Sequence, residues 1–292
     1  MRIAIIGAGK MGRWFTRFFK DEGYSVVVSS RTRSKAEALR DEFGVEIADS
    51  NLEAVEDADR VLICVPLENL ETVLEEIGSH IRSDQFVMDI CSVKDAPVNL
   101  LHKYVKKGIT LGTHPVFGPG AKSLEGQNFV LTPVNEEERR FAAEFKGWLE
   151  ERGAEVAVLS PRRHDELMAL VLGFPHFVGL VAGDALVNSS DFVEAKEVGG
   201  ASYKLLLTLA GAVAAEEPVF YSNLHMSLPE MEQIEGLFLS KVEEWLKLVR
   251  AKDCGGFGRR MEQVKKRLKE LDPDFERYYR LMYRLLDDSS RG

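Results

Sequence analysis

Two short segments of this chain combine residue types suited to moving a hydride and a proton. Near the N-terminus, Gly7-Ala8-Gly9-Lys10-Met11-Gly12 directly follows the apolar run Ile3-Ala4-Ile5-Ile6. Glycines at that spacing let a strand-to-helix turn bring backbone N–H groups against a diphosphate, with the helix N-terminus facing its charge. Far downstream, His114-Pro115-Val116-Phe117-Gly118-Pro119 puts a histidine at the end of another apolar run. A histidine so placed can accept a hydrogen bond from a substrate hydroxyl and take up its proton as hydride leaves the carbon. Each segment also has a plain reading, a tight packing turn or a turn histidine before proline. Their occurrence within one alternating strand and helix pattern favours dinucleotide-dependent chemistry.

The type of dinucleotide is decided where the second apolar run ends. Free ribose hydroxyls are usually met there by an acidic residue, whereas a 2′-phosphate needs hydroxyl donors and a cation. The chain has Ser29-Ser30-Arg31-Thr32-Arg33, with no Asp or Glu. Ser30, Arg31 and Thr32, with Gly7, Gly9, Lys10, Met11 and Gly12, therefore predict an NADP site, NAD being the alternative. Arg31 would stack on adenine or pair with the phosphate. The competing reading is a solvated turn in which Thr32 or Ser34 caps the next helix. Ligands of open parallel sheets bind beyond the carboxyl ends of the strands. Two later run-ends belong to the same crevice: Val65-Pro66 sets Pro66 against the cofactor, and Asp89-Ile90-Cys91-Ser92-Val93-Lys94 brings Ser92 towards His114.

The elements that must hold these residues follow from periodicity. After a first strand starting at residue 2, strands are expected at Ser25 to Ser29, Val45 to Ala48, Arg60 to Val65, Phe86 to Ile90, Ile109 to Thr113, Phe129 to Thr132 and Val156 to Leu159. Helical spacing relates Met11, Trp14, Phe15, Phe18 and Phe19, and again Leu70, Val73, Leu74, Ile77 and Ile81. Beyond Ser160-Pro161 the strand-like runs stop. Helices are expected at roughly 163 to 189, 193 to 216, 228 to 251 and 257 to 286, broken near Asp253-Cys254-Gly255-Gly256 and by Pro273, with a frayed tail from 287 to 292. The expected fold class is α/β: a doubly wound, mostly parallel, Rossmann-like sheet over 1–160, followed by an all-helical domain over 161–292. Met231, Ile234, Leu237, Phe238, Val242, Trp245 and Leu246 form an apolar face wide enough to continue into a second subunit, so a homodimer is expected.

Composition narrows the partners. A net charge of −9 speaks against nucleic acid or an anionic membrane surface, and obliges an anionic substrate to find local cations. Cys64, Cys91 and Cys254 are odd in number and lack metal-ligand spacing, so neither a disulfide framework nor a metal site is expected. A strand beginning at residue 2 leaves no room for a signal peptide, which favours the cytoplasm. Leu167 to Val187 is apolar enough to raise the question of a membrane span. Pro175, His176 and Asp184 interrupt it, and a buried core helix is the better expectation.

In this order, GAGKMG, DICSVK, GTHPVFGP and Asn128-Phe129-Val130-Leu131-Thr132-Pro133 resemble the prephenate/arogenate dehydrogenases of tyrosine biosynthesis. The resemblance continues through Arg163-His164-Asp165-Glu166, Phe174-Pro175-His176, Tyr203-Lys204 and Glu217-Pro218-Val219-Phe220-Tyr221, and so covers most of the chain. It implies NAD(P)-dependent oxidative decarboxylation of prephenate to 4-hydroxyphenylpyruvate, with arogenate as a possible substrate. Aromatisation drives such a step, leaving the protein mainly positioning and proton handling. By the same resemblance, His114 accepts a hydrogen bond from the ring hydroxyl and assists its deprotonation. Ser92 would orient that histidine or contact the nicotinamide. His176 would line the substrate pocket, Gly118 would belong with the substrate-binding residues, and the helical domain would form the dimer. The arginine that family members use for a substrate carboxylate is missing, since the corresponding positions hold Ala212 and Ser222. Lys204 is the first candidate to replace it for a dicarboxylate substrate, with Arg162, Arg163 and Lys122 behind it. Competing readings are a β-hydroxyacid or imine reductase, which lacks HPVFGP, and a non-catalytic NADP-binding regulatory module.

Overall fold

A computed structural model of the chain describes residues 1–289, with side chains through residue 286. It forms two compact units, the first being Met1–Met168. In chain order this unit contains β1 (Arg2–Ile6), α1 (Lys10–Asp21), β2 (Ser25–Ser29), α2 (Arg33–Phe43), β3 (Glu46–Ile47), α3 (Asn51–Glu56), β4 (Arg60–Ile63), α4 (Leu67–Ile77), β5 (Phe86–Asp89), α5 (Asp95–Tyr104), β6 (Ile109–Pro115), β7 (Asn128–Thr132), α6 (Glu136–Glu150), β8 (Glu155–Val158) and α7 (Pro161–Met168). The sheet runs β3-β2-β1-β4-β5-β6-β7-β8. Its first six strands pair in parallel, which is why their Ile, Val and Leu runs are continuous rather than alternating: both faces are covered.

Ile3, Ile5, Val26, Val28 and Leu62 face Trp14, Phe15 and Phe19 of α1 and Phe145 of α6. On the opposite side, Ala4, Ile6, Val61, Ile63 and Val87 face Leu70, Val73, Leu74 and Ile77 of α4. The strand order reverses between β1 and β4, so the crevice at the carboxyl ends opens beside the start of α1. Strand limits depart from expectation chiefly at β3, which keeps only Glu46–Ile47, and at β6, which reaches Pro115 because β7 pairs with it antiparallel. The strand pattern ends by Ser160, yet α7 stays with this unit because His164 and Asp165 bond to β6 and to the start of α5.

The second unit begins at Ala169 and is helical: a π-helical turn at Ala169–Gly173, then α8 (Phe174–Val187), α9 (Phe192–Val198), α10 (Ala201–Ala214), α11 (Pro218–Ser227), α12 (Met231–Arg250), α13 (Cys254–Leu271) and α14 (Arg277–Ser289). The expected spans are cut more finely than periodicity shows. The breaks expected near Asp253 and at Pro273 are present, between α12 and α13 and between α13 and α14, whereas Gly199-Gly200 also separates α9 from α10, and α11, which the expected spans leave out, starts on Pro218. Of the tail expected to fray, residues 287–289 continue α14 and 290–292 lie outside the described residues.

The π-helical turn joins α7 to α8, making Pro161–Val187 the one helix among the described residues long and apolar enough to cross a membrane. It is not the buried core helix that the sequence suggests. On α8 Gly179 alone is buried, and Leu180 and Val187 are 41% and 66% exposed. The cause is incomplete cover. Gly179 lets α8 approach Val213 of α10, and Phe174 and Phe177 meet Phe238 of α12, but no described element covers the remaining flank. The apolar face of α12 is part-covered in the same way, with Leu237, Val242 and Leu246 exposed.

Candidate active site

Gly7 follows β1 with φ at +113°, a conformation open to glycine, and its N–H donates to Ser29 O at 2.8 Å. A Cβ on Gly12 would collide with the Gly7 carbonyl, so only glycine lets α1 start this close beneath the turn. Gly9 is different, because a side chain there would meet no protein atom. The fold itself does not require a bare backbone at Gly9; a diphosphate would. Gly9 is the N-cap residue of α1, and no side chain caps that helix, so its first N–H groups face the space a diphosphate would take. Lys10 and Met11 open the helix, and Pro66 is exposed at the N-cap position of α4, just past β4.

Thr32 occupies the N-cap position of α2, but its hydroxyl makes no capping bond. The solvated-cap reading of this segment therefore does not hold for Thr32. Ser30 Oγ accepts only a long bond, 3.3 Å, from Thr32 N–H. Arg33 is engaged by Asp49 and Glu37. Arg31 bonds to the neutral Asn69 at 3.2 Å and has no acidic partner among the described residues. These donors fit a 2′-phosphate.

His114 sits two residues past Gly112, which pairs with the last residue of β5, and so projects at the carboxyl edge of the sheet. It is almost wholly buried. Its Nδ1 lies 2.8 Å from His164 Nε2, and His164 Nδ1 lies 2.7 Å from Asp165 Oδ1. The Asp165 carboxylate in turn accepts from Lys94 N–H at 2.7 Å and Asp95 N–H at 2.9 Å, where α5 begins. Lys94 is fully buried, its ammonium donating to Asp89 and to Thr113 O. Burial pushes the His114 pKa well below the ordinary histidine value, with the charges of His164 and Lys94 adding to the effect. Burial also lowers that of His164, against the pull of Asp165. Both rings are therefore neutral near neutral pH, and His114 is a proton acceptor rather than a cation. The loop after β6 is pinned by Trp14, whose ring lies 4.9 Å from Phe117 and whose Nε1–H donates to Ala121 O at 2.6 Å. Gly118 is exposed in that loop.

Ser92 is half-buried after β5 and makes no hydrogen bond among the described residues; the hydrogen-bond partner of His114 Nδ1 is His164 Nε2. Lys94, His164 and Asp165 stand in the motifs quoted from the sequence without a role, and the fold links them to His114 and the residue before it. Their signals were a lysine inside an apolar strand-end segment and an adjacent His-Asp pair at the head of a helix.

In the second unit the His176 ring meets Tyr221 edge-on at 4.5 Å. Its Nδ1 is buried without a hydrogen-bond partner among the described residues, as are Tyr203 Oη and His225 Nε2. Burial and the charge of His225 lower the His176 pKa to about 4. These unanswered polar atoms can receive a polar ligand. Lys204, next to Tyr203 on α10, is exposed. Arg162 and Arg163 both pair with Glu166.

Two family models match the chain, the prephenate dehydrogenase nucleotide-binding domain over residues 15–158 and the prephenate dehydrogenase dimerization domain over 160–263. A probable arogenate/prephenate dehydrogenase of Methanocaldococcus jannaschii is 32% identical over 91% of the chain. The T-protein of Enterobacter agglomerans is 27% identical over 77%. The chain spans 60% and 56% of the lengths of these two relatives. The prephenate dehydrogenase of Aquifex aeolicus, solved in complex with hydroxyphenyl propionate and NAD+, matches with a TM-score of 0.77 and 21% identity, covering 93% of this chain and 98% of its own; at that identity the likeness speaks for the fold.

Proposed function

The chain belongs to the prephenate/arogenate dehydrogenase family, and on that premise we propose that it oxidises and decarboxylates prephenate to 4-hydroxyphenylpyruvate with NADP as the favoured cofactor. The observation that carries the reading is a buried, neutral histidine, His114, in the same unit and at the same sheet edge as a glycine turn whose Gly9 presents bare backbone. When bound, the nicotinamide accepts the hydride. The chain supplies the rest. Gly7, Gly9, Lys10, Met11, Gly12 and Pro66 hold the dinucleotide, and Ser30, Arg31 and Thr32 receive its 2′-phosphate. Arg31 without an acidic partner, in a segment without Asp or Glu, favours NADP over NAD.

His114 takes the hydroxyl proton, and Ser92, with its hydroxyl unengaged, contacts the nicotinamide. Gly118, His176 and Lys204 bind the substrate, Lys204 answering a carboxylate in place of the family's arginine. The apolar flanks left open on α8 and α12, together with the match to a dimerization domain, support a homodimer.

The test is direct. Purified chain is given prephenate or arogenate with NADP or NAD, and formation of the reduced nicotinamide is followed by fluorescence. Turnover with prephenate and NADP at the highest kcat/KM is expected. A preference for arogenate or NAD would redirect the corresponding half of the assignment, and no turnover in any combination would leave the non-catalytic reading.

A further inference from the structure

We propose that Asp165 and His164 are positioning residues for His114: they hold its ring with hydrogen on Nδ1 and none on Nε2, and they share the proton that Nε2 takes up. The inference rests on the dehydrogenase reading for the origin of that proton, but the hydrogen pattern is independent of it.

The direction of the chain is set at Asp165. Its two oxygens accept from the Lys94 and Asp95 N–H groups, which are donors without ambiguity, at the start of α5 where a helix favours negative charge. Oδ1 also faces His164 Nδ1 at 2.7 Å, so Nδ1 carries the hydrogen. Neutral His164 then has a lone pair at Nε2, 2.8 Å from His114 Nδ1, and that atom must donate. His114 Nε2 is left as the acceptor, the form a base needs beside a hydroxyl.

The charges around the two rings support the sharing. His114 is faced by His164 and Lys94, both cationic or able to become so, while Val130 pairs with it from β7. His164 is faced by Lys94 and by two carboxylates, Asp165 and Asp89. A positive charge is better placed on His164. In the step, the substrate O–H bond breaks and an N–H bond forms at His114 Nε2, the electron pair staying on the substrate oxygen, which becomes a carbonyl oxygen as hydride leaves for the bound nicotinamide. The His114 Nδ1–H bond breaks as a bond to hydrogen forms at His164 Nε2, and the charge comes to rest beside Asp165.

Asp165 also caps α5, so its own variants would mix folding with chemistry, and His164 is the residue to change. In the full chain without ligand, ring 15N shifts should show His114 protonated at Nδ1 in the wild type and partly or wholly at Nε2 in His164→Phe. His164→Gln keeps an oxygen able to accept from Nδ1 but cannot take the proton. With prephenate and NADP we expect kcat to fall about tenfold in His164→Gln and about a hundredfold in His164→Phe, with KM within about twofold of wild type in both. Hydrogen on Nε2 of wild-type His114, or wild-type kcat in His164→Gln, would overturn the proposal. If the wild type turned over no substrate, the functional reading would fail, and the ring nitrogens would still decide the hydrogen pattern.

Discussion

Replacing Lys94 by methionine isolates the interaction on which the catalytic edge of the sheet depends. Lys94 and Asp89 are both fully buried, and the ammonium bonds to the Asp89 carboxylate and to Thr113 O, the carbonyl immediately before His114. Methionine fills nearly the same volume but leaves Asp89 as a buried carboxylate. Among the described residues the remaining donor to it is Cys91, whose N–H lies 2.8 Å from Oδ1. Removing one member of a buried pair costs about 3–5 kcal/mol, because the survivor's charge is uncompensated. At about 2–4 °C per kcal/mol for a unit of this size, the midpoint of the first unit should fall by about 6–20 °C.

Tryptophan fluorescence in a Trp245→Phe background reads that unit, since Trp14 and Trp148 lie within it and Trp245 does not. The double variant Lys94→Met with Asp89→Asn removes the stranded charge and should regain most of the loss, giving a coupling of several kcal/mol. A loss below about 1 kcal/mol in Lys94→Met, or a double variant no more stable than the single, would refute the view that a compensated charge holds this edge together.

Four further outcomes are expected. His114→Asn should lower kcat by about a hundred- to ten-thousandfold with cofactor affinity unchanged, and wild-type turnover would remove the assigned base. Arg31→Ala should weaken NADP by about 1.5–3 kcal/mol and leave NAD nearly unaffected in competition titrations; equal losses would place Arg31 away from the 2′-phosphate. Lys204→Met should raise the KM for prephenate at least about tenfold with a smaller change in kcat, since a remote carboxylate is held alike in ground and transition states; an unchanged KM would move the anchor elsewhere. The melting temperature should fall as pH drops through the ordinary histidine range, because the unfolded chain then binds protons that His114, His164 and His176 refuse in the fold, until His176 itself titrates near about 4. His176→Gln should flatten part of that slope, and an unaltered slope would deny His176 its buried, neutral state.

What the sequence revealed and what it hid follow the same physical line. β1, β2, β4 and β5 are legible because a parallel strand buried on both faces must be apolar throughout, and the glycine turn is legible because steric demands at Gly7 and Gly12 are local. In the second unit each helix buries only a flank within the chain, so apolar periodicity ran on through the break at Gly199-Gly200 and missed α11. The site divides likewise. His114 stands out at a strand end, whereas the bond from Lys94 N–H to Asp165 joins residues 71 apart, a separation that no local pattern records. The resemblance implies that Ser92 orients the histidine or contacts the nicotinamide; the ring nitrogen His114 Nδ1 is met instead by His164, on a helix arriving from later in the chain. Asp165 shows why the two problems are one. The carboxylate that receives the first N–H groups of α5 is also the one that fixes His164, so the packing of α7 onto the sheet and the hydrogen pattern of His114 are set by a single set of bonds. A substitution that loosens α7 should therefore disturb His114 on β6 before it disturbs the glycine turn between β1 and α1, which β4 and β5 separate from β6 in the sheet.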